Sequence, residues 1–111
     1  MRQGDIVWVE LPSGEGRAQS GRRPAVVLQD ESLALSTTVL VPLTTQLAAL
    51  RFPATVLLEP DGRNGLRAPS VALVFQVRAV DQQFISTGTQ GTVAPAKLNE
   101  LFTALDELTG R

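Results

Sequence analysis

Residues 21–28 read GRRPAVVL, and this stretch decides the fold. Residues 25–28 are apolar at every position, which predicts a strand that is buried on both faces in the middle of a sheet. Pro24 has no N–H to give to a neighbouring strand, so we expect it to be the first residue of a strand at 24–28. A central strand needs partners on both sides, and the flanking sequence supplies them.

Short runs rich in β-branched residues recur on either side of this strand, which indicates an antiparallel sheet. The predicted strands cover residues 6–11, 37–43, 55–58 and 70–80, with a short further one at 83–86. Pro60-Asp61-Gly62 predicts a tight turn, because proline presets φ and glycine accepts positive φ. Residues 12–21 are rich in Gly and Ser and predict a long mobile loop, a kind of segment that often carries function.

The C-terminal part changes to a helical period. An apolar stripe follows the spacing of one helix face and consists of Leu98, Leu101, Phe102, Leu105 and Leu108. Pro95 suits the first helical position, and Gly110 suits the stop. We see no internal repeat and no alternation of strands with helices. The pattern predicts one mainly β domain of the α+β class, residues 1–111, built as a twisted antiparallel sheet or half-open barrel with a C-terminal helix.

The amino-acid composition excludes several kinds of catalytic and metal site. The chain has no cysteine and no histidine, which excludes disulfides, thiolate metal sites, a cysteine nucleophile and a Ser-His-Asp triad. The formal net charge is −1, so any nucleic-acid site must be a local cluster of cations. Nine of the ten basic residues are arginine, which suits phosphate recognition but equally fits a GC-rich genome. No signal peptide or membrane span is evident, and we expect a cytoplasmic protein without a cofactor.

Three segments place polar residues where a strand begins, ends or turns a face to solvent. Arg22-Arg23 precedes the buried strand and could hold a phosphate, or could simply be a solvated strand start. Thr44-Thr45-Gln46 follows another strand, where Thr44 could bond a phosphate oxygen or cap a short helix. Gln76 and Arg78 would share one face of the strand 70–80, where they could read base edges or contact phosphate, or could simply be exposed to water. Each of these three segments alone is weak evidence for a functional site. The evidence is stronger when the order in which they occur along the chain is considered.

Five blocks in that order resemble the MazF/PemK toxins. They are residues 4–9 (GDIVWV), 21–28 (GRRPAVVL), 41–46 (VPLTTQ), 70–81 (SVALVFQVRAVD) and 91–95 (GTVAP). The resemblance covers nearly the whole chain. It implies an SH3-like fold of the CcdB and PemK type, a homodimer, and an RNA groove across the dimer interface. It also implies a MazE-like antitoxin partner whose acidic C-terminal segment occupies that groove.

The resemblance further implies metal-independent cleavage of single-stranded RNA at a short motif. The RNA 2′-hydroxyl attacks the adjacent phosphate and leaves a 2′,3′-cyclic phosphate and a 5′-hydroxyl end. The family's catalytic arginine and threonine fall on Arg23 and Thr44. Arg23 should act as an electrostatic clamp, since a guanidinium keeps its proton far above neutral pH. The remaining residues that we expect at the RNA groove are Arg17, Gln19, Arg22, Thr45, Gln46, Phe75, Gln76 and Arg78.

Two departures from the family pattern concern that groove. Phe75 stands where the family often has an acidic residue, and Ala18 stands where its loop commonly has a glutamate. Phe75 could stack on a base or pack in the core, and Arg17 could add phosphate affinity. Two other functions stay open: an inactive RNA-binding or interaction module, and a CcdB-like gyrase poison. The gyrase poison relies on a C-terminal Trp-Gly-Ile, whereas this chain ends Thr109-Gly110-Arg111.

Overall fold

The computed structural model describes residues 1–12 and 21–111, a mainly β structure with a C-terminal helix. The strands are β1 (Asp5–Leu11), β2 (Gly21–Val27), β3 (Thr37–Thr44), β4 (Thr55–Leu58), β5 (Ser70–Leu73), β6 (Arg78–Asp81) and β7 (Gly91–Thr92), and the helix is α1 (Pro95–Thr109). Short 3₁₀ helices cover Leu47–Arg51, Val74–Gln76 and Gln82–Phe84. Most of the predicted loop 12–21, including Arg17 and Gln19, lies outside the described residues.

The sheet is antiparallel, and its strand order is β4-β5-β3-β2-β1-β7. β3 has a second partner on the same edge, because its first half pairs with β6 and its last two residues pair with β5. This shared edge curls the sheet into a half-barrel. The predicted class, a mainly β antiparallel sheet or half-open barrel with a C-terminal helix, is confirmed.

Both faces of the second half of the central strand β2, residues 25–27, are buried, as the uninterrupted apolar sequence there predicted. Val26 packs into the larger core, which includes Leu101 of α1. Ala25 and Val27 pack into a second core on the opposite face with Leu40 of β3. Successive residues of β2 therefore fix the positions of two layers, and the strand cannot slip by one residue without exchanging them.

Pro24 is not the first residue of β2 but the fourth, which corrects our expectation. Its neighbour Ala25 is opposite Pro42, and the pairing with β3 ends there. Leu28 donates its N–H to Val39 at 3.0 Å, so in an antiparallel ladder the nitrogens of Val26 and Pro24 also point towards β3. The proline is accommodated because the ladder stops at the place where its N–H would be needed.

The predicted strand 70–80 is interrupted, which is a second correction. The chain forms the 3₁₀ turn Val74–Gln76 between β5 and β6, closed by a hydrogen bond from the N–H of Val77 to the carbonyl of Val74 (3.0 Å). Pro42 explains the break, because its nitrogen faces this edge of β3 and has no hydrogen to donate. Gln76 and Arg78 therefore do not share a strand face. The predicted strand 83–86 is likewise replaced by a 3₁₀ turn and a single bridge at Ile85.

Helix α1 begins at Pro95 and is followed by Gly110 in the left-handed conformation (φ 79°), as predicted. Leu101 is fully buried, and Leu98, Phe102 and Leu105 pack against the same core. Leu108 is 43% exposed, so the apolar stripe does not extend to the last turn. No helix in residues 1–12 or 21–111 is long and apolar enough to cross a membrane.

The segment 59–66 is held in place by its own turn. The N–H groups of Arg63 and Asn64 donate to the Asp61 carboxylate, and they lower the pKa of that carboxyl. The side-chain Nδ2 of the buried Asn64 donates to the backbone carbonyl of Glu59 at 2.8 Å. Gly91 of β7 packs so closely that a Cβ there would overlap the backbone of Asn64. This close packing sets the position of the residues that follow, including Arg67.

Replacing Leu101 with alanine should lower the free energy of unfolding by about 2–5 kcal/mol, because it leaves a cavity in the larger core. The matched control is Leu108→Ala on the same helix, which should change stability by less than about 0.5 kcal/mol. Urea unfolding followed by circular dichroism measures both. Equal effects of the two substitutions would contradict the packing described for α1.

Candidate functional site

A cavity of about 410 Å³ opens where the β2–β3 ladder ends, and we call it the arginine cavity. It is lined by Trp8, Arg22, Arg23, Pro24, Leu43, Thr44, Thr45, Gln46 and Ser70. Two arginines come from β2, and the hydroxyls and amide come from the end of β3 and the turn after it. The sequence segments Arg22-Arg23 and Thr44-Thr45-Gln46 therefore lie against one another in the structure.

The position of Arg23 follows from the proline beside it. In the β2–β3 register Pro24 would be opposite Leu43 and would donate to its carbonyl, but proline has no N–H. Nη1 of Arg23 donates to that carbonyl instead, at 3.4 Å. Leu43 is buried, and an unsatisfied buried carbonyl would cost about 1–3 kcal/mol. The guanidinium is thus held at the cavity wall by a hydrogen bond to the carbonyl that Pro24 leaves without a backbone donor.

The hydroxyl of Thr44 is also held in place. Its Oγ1 accepts a hydrogen bond from the backbone N–H of Gln46 at 3.2 Å. A hydroxyl that accepts in this way still carries a hydrogen that it can donate to a bound group. The alternative role of Thr44 as a helix cap is wrong, because the 3₁₀ helix Leu47–Arg51 begins after Gln46 and has no side-chain cap.

Arg22 lies over the indole of Trp8, with Cζ 4.9 Å from the ring centroid. Trp8 is opposite Pro24 in the register of β1 and β2, so the indole, the proline ring and the guanidinium share one wall. A cation over an aromatic face is attracted by the ring quadrupole, by about 0.5–1 kcal/mol at an exposed site. Because this contact already holds the planar guanidinium of Arg22 in place, little side-chain entropy is lost when it binds a group in the cavity.

A second cavity, of about 400 Å³, adjoins the first, and we call it the phenylalanine cavity. It is lined by Thr44, Gln46, Ala48, Ala49, Arg51, Phe52, Leu73, Phe75 and Gln76. The rings of Phe52 and Phe75 have centroids 5.5 Å apart and are tilted by 55°. Arg51 lies over the Phe52 ring at 4.6 Å. The 3₁₀ turn that interrupts the predicted strand places Phe75 and Gln76 in this wall.

A third cavity, of about 470 Å³, continues on the other side and is lined by Trp8, Pro24, Thr45, Gly65, Arg67, Ala68, Ser70 and Gln90. Thr44 and Gln46 line both the phenylalanine and the arginine cavities, while Trp8 and Thr45 line both the arginine and the third cavities. We call the three together the groove. Within the described part of the chain, its lining includes four arginines and no carboxylate, so a chain of net charge −1 has a locally cationic groove.

Seven of the predicted site residues line the groove: Arg22, Arg23, Thr44, Thr45, Gln46, Phe75 and Gln76. Arg78 begins β6 and is not among the lining residues. Arg17 and Gln19 lie outside the described residues. The groove is also lined by residues for which the sequence predicted no site role, among them Trp8, Arg51, Phe52, Arg67, Ser70 and Gln90. The adjacent pair Arg51-Phe52 was a usable signal, since a cation beside an aromatic residue is common in nucleic-acid sites.

The arrangement suits a single-stranded polyanion. Fixed guanidinium groups can bind phosphate oxygens and stabilise the charge that develops when a phosphate is attacked. Hydroxyl and amide groups can orient the phosphate or contact base edges, and the aromatic rings can stack on unpaired bases. The groove therefore offers the elements of an RNA site without any global positive charge.

Comparison with known proteins identifies the family. Residues 2–109 match the family described as PemK-like, MazF-like toxin of type II toxin–antitoxin system. The endoribonuclease toxin MazF of Escherichia coli is 34% identical over an alignment of 109 residues, and the match covers 96% of this chain and 92% of that protein. A crystal structure of MazF from Deinococcus radiodurans superposes with a TM-score of 0.83 at 26% identity, covering 100% of this chain and 97% of the other. A MazE–MazF structure from the same organism gives 0.76 at 25% identity, covering 99% and 96%.

The chain belongs to the PemK-like, MazF-like toxin family of type II toxin–antitoxin systems. Within that family it is an endoribonuclease toxin.

Arg22→Ala should shift the fluorescence emission of Trp8 to longer wavelength, because the guanidinium that covers the indole is removed. Trp8 is the only tryptophan, so the spectrum reports this site alone. Stability should fall by no more than about 1 kcal/mol. The control is Arg2→Ala, whose side chain is 81% exposed and should leave the spectrum unchanged. An unchanged spectrum in Arg22→Ala would refute the stacking.

Proposed function

We propose that this toxin cuts single-stranded RNA at a short sequence motif without a metal ion. The RNA 2′-hydroxyl attacks the adjacent phosphorus, the bond to the 5′-oxygen breaks, and the products carry a 2′,3′-cyclic phosphate and a 5′-hydroxyl. The observation that carries the proposal is that Arg23 and Thr44 line the same cavity. The guanidinium of Arg23 and the hydroxyl of Thr44 are each held by a hydrogen bond to the backbone.

In this mechanism the substrate supplies its own nucleophile, which suits a chain with no cysteine or histidine. Arg23 binds the scissile phosphate and stabilises the extra negative charge of the pentacoordinate transition state. Thr44 donates from its hydroxyl to a phosphate oxygen and orients it for attack. Among the described residues, the polar groups lining the arginine cavity are guanidinium, hydroxyl and amide groups, rather than the carboxylates that usually hold Mg²⁺ at phosphoryl-transfer sites.

Single-stranded RNA is the substrate form that the groove favours. Its three cavities share lining residues from one to the next, and aromatic rings occur at two places along it, at Trp8 and at Phe52 with Phe75. Unpaired bases can be splayed into such cavities, whereas a duplex keeps its bases stacked inside. Cleavage at a motif follows because each cavity can read the base that it accepts.

The partner that we propose is a MazE-like antitoxin whose acidic C-terminal segment lies in the groove. The groove is lined by four arginines, whose positive charges complement the negative charges of that segment: Arg22, Arg23, Arg51 and Arg67. The Deinococcus radiodurans relative is known as a MazE–MazF complex. An antitoxin bound in this way inhibits by occupying the RNA site, without any change in the catalytic residues.

We also propose that the toxin is a homodimer. The described residues include several large apolar side chains that are partly exposed, among them Leu33 (55%) and Leu35 (56%). Apolar side chains at this exposure are common at the interfaces of obligate dimers.

Purified toxin incubated with a long mixed-sequence RNA in EDTA should produce discrete cuts at one recurring motif, with 5′-hydroxyl ends. Arg23→Ala should slow cleavage at least about 100-fold, the cost of removing one electrostatic stabiliser of the transition state, while RNA binding is weakened but measurable. The control is Arg63→Ala, which removes the same charge from an exposed turn outside the groove and should cut at the wild-type rate. Mapping of RNA ends and gel-shift titration give both readouts.

Loss of cleavage in EDTA would show that a metal ion takes part. Wild-type rates in a folded Arg23→Ala variant would remove Arg23 from the mechanism. Intact RNA with every preparation, and no difference between wild type and Arg23→Ala, would favour an inactive RNA-binding member or a gyrase-directed toxin.

Light scattering at micromolar concentration should give twice the 11.9 kDa chain mass. Leu108→Ala serves as the control, since it should leave the fold intact and does not change the exposed apolar residues of the 30–36 segment. A particle of single-chain mass across the concentration range would refute the dimer.

A further inference from the structure

The phenylalanine cavity holds a feature that cleavage itself does not require. Its wall contains two phenyl rings in tilted contact and an arginine over one of them, next to Thr44. Core packing alone does not account for Phe52, because its side chain is 38% exposed. A large aromatic side chain left partly open at the edge of a cationic groove has a stacking surface available.

The cavity is continuous with the site of cleavage. Thr44 and Gln46 belong to its wall and to the wall of the arginine cavity. A nucleotide whose phosphate contacts Thr44 is therefore beside the cavity wall that holds Phe52 and Phe75, where its adjoining base can lie. Arg51 adds a planar cation at the edge of the cavity, where it can contact the phosphate of the next nucleotide.

The polar groups of the cavity favour a purine. Gln46 and Gln76 contribute side-chain amides, each with donor and acceptor groups, and a paired donor and acceptor of this kind matches the N6 and N7 edge of adenine. A purine also has the larger ring system to stack on phenyl groups. The lining offers no carboxylate within the described residues, so the amino edge of cytosine finds no charged acceptor there.

We propose that the phenylalanine cavity is a base subsite that stacks an unpaired purine next to the scissile phosphate, and that Phe52 and Phe75 set the motif preference at that one position. The proposal rests on the proposed cleavage of single-stranded RNA. The aromatic residue at position 75, where the family often has an acidic one, makes this specificity a property of the present chain.

The test begins with the cleavage motif of the wild type. RNA oligomers containing that motif then carry 2-aminopurine at each position beside the cut, with a 2′-deoxy nucleotide at the cut so that they stay intact. One position should show strong quenching on binding. Phe52→Leu and Phe75→Leu should lose most of that quenching, bind about 5- to 100-fold more weakly, and lose the base preference at that position alone.

Two control variants separate stacking from stability. Phe102→Leu removes the same volume from a residue that packs against the same core but lies on α1, outside the groove. Phe84→Leu removes an exposed phenyl group from the 3₁₀ turn Gln82–Phe84. Both should cut the wild-type motif with the wild-type preference. An oligomer with a fluorescent pyrimidine analogue at the same position should bind more weakly than the purine.

The outcomes distinguish the subsite from the cleavage mechanism. If the wild type cuts a defined motif and Phe52→Leu and Phe75→Leu keep that motif, affinity and quenching, the subsite is refuted and cleavage stands. A stronger preference for the pyrimidine analogue would also refute it. If the wild type cuts no RNA, unstructured 2-aminopurine oligomers are titrated directly. Quenching that depends on Phe52 then supports the subsite without cleavage, and absence of quenching refutes both.

Discussion

The groove depends on one constraint, the absence of an N–H at two prolines in the central strands. Pro24 cannot donate to the Leu43 carbonyl, and the β2–β3 ladder ends beside it, at Ala25 and Pro42. The strands separate from there, and the arginine cavity occupies the opening. The carbonyl that Pro24 leaves without a donor is satisfied by Arg23 at 3.4 Å. This one hydrogen bond satisfies the buried carbonyl and also fixes the position of the Arg23 guanidinium at the cavity.

Pro42 has the corresponding effect on the opposite edge of β3. Its nitrogen faces the partner strand at the place where β5 gives way to β6, and the chain there forms the 3₁₀ turn Val74–Gln76. This turn places Phe75 and Gln76 in the wall of the phenylalanine cavity. Both cavities therefore arise where a regular ladder fails, while the buried residues on either side of β2 hold the sheet rigid around them.

The sequence was sufficient for the fold class and for the helix, because alternation, apolar period and the residues Pro95 and Gly110 are local signals. It was insufficient for the details that make the groove. The run 70–80 is apolar throughout, so nothing in it marks the turn, which is imposed by a proline about 30 residues earlier in the chain. Arg51 and Phe52 offered one local signal, a cation beside an aromatic residue, but that signal does not place them at the groove. Their meeting with Phe75 is a tertiary contact between segments that the sequence keeps apart.

Charge placement explains how a chain of net charge −1 can act on a polyanion. Long-range attraction is weak for such a protein. Under the proposed function, affinity would come from contacts within the groove, where the arginines would be close to the phosphates and screening by salt is least effective. Arg22 and Arg51 each lie over an aromatic ring, which keeps their guanidinium groups in place before RNA arrives. If the groove binds RNA as proposed, this short-ranged and preorganised binding favours selection by the bases that fit the cavities over attraction to RNA in general. A cationic surface spread over the whole molecule would raise affinity for every RNA alike and would weaken that selection.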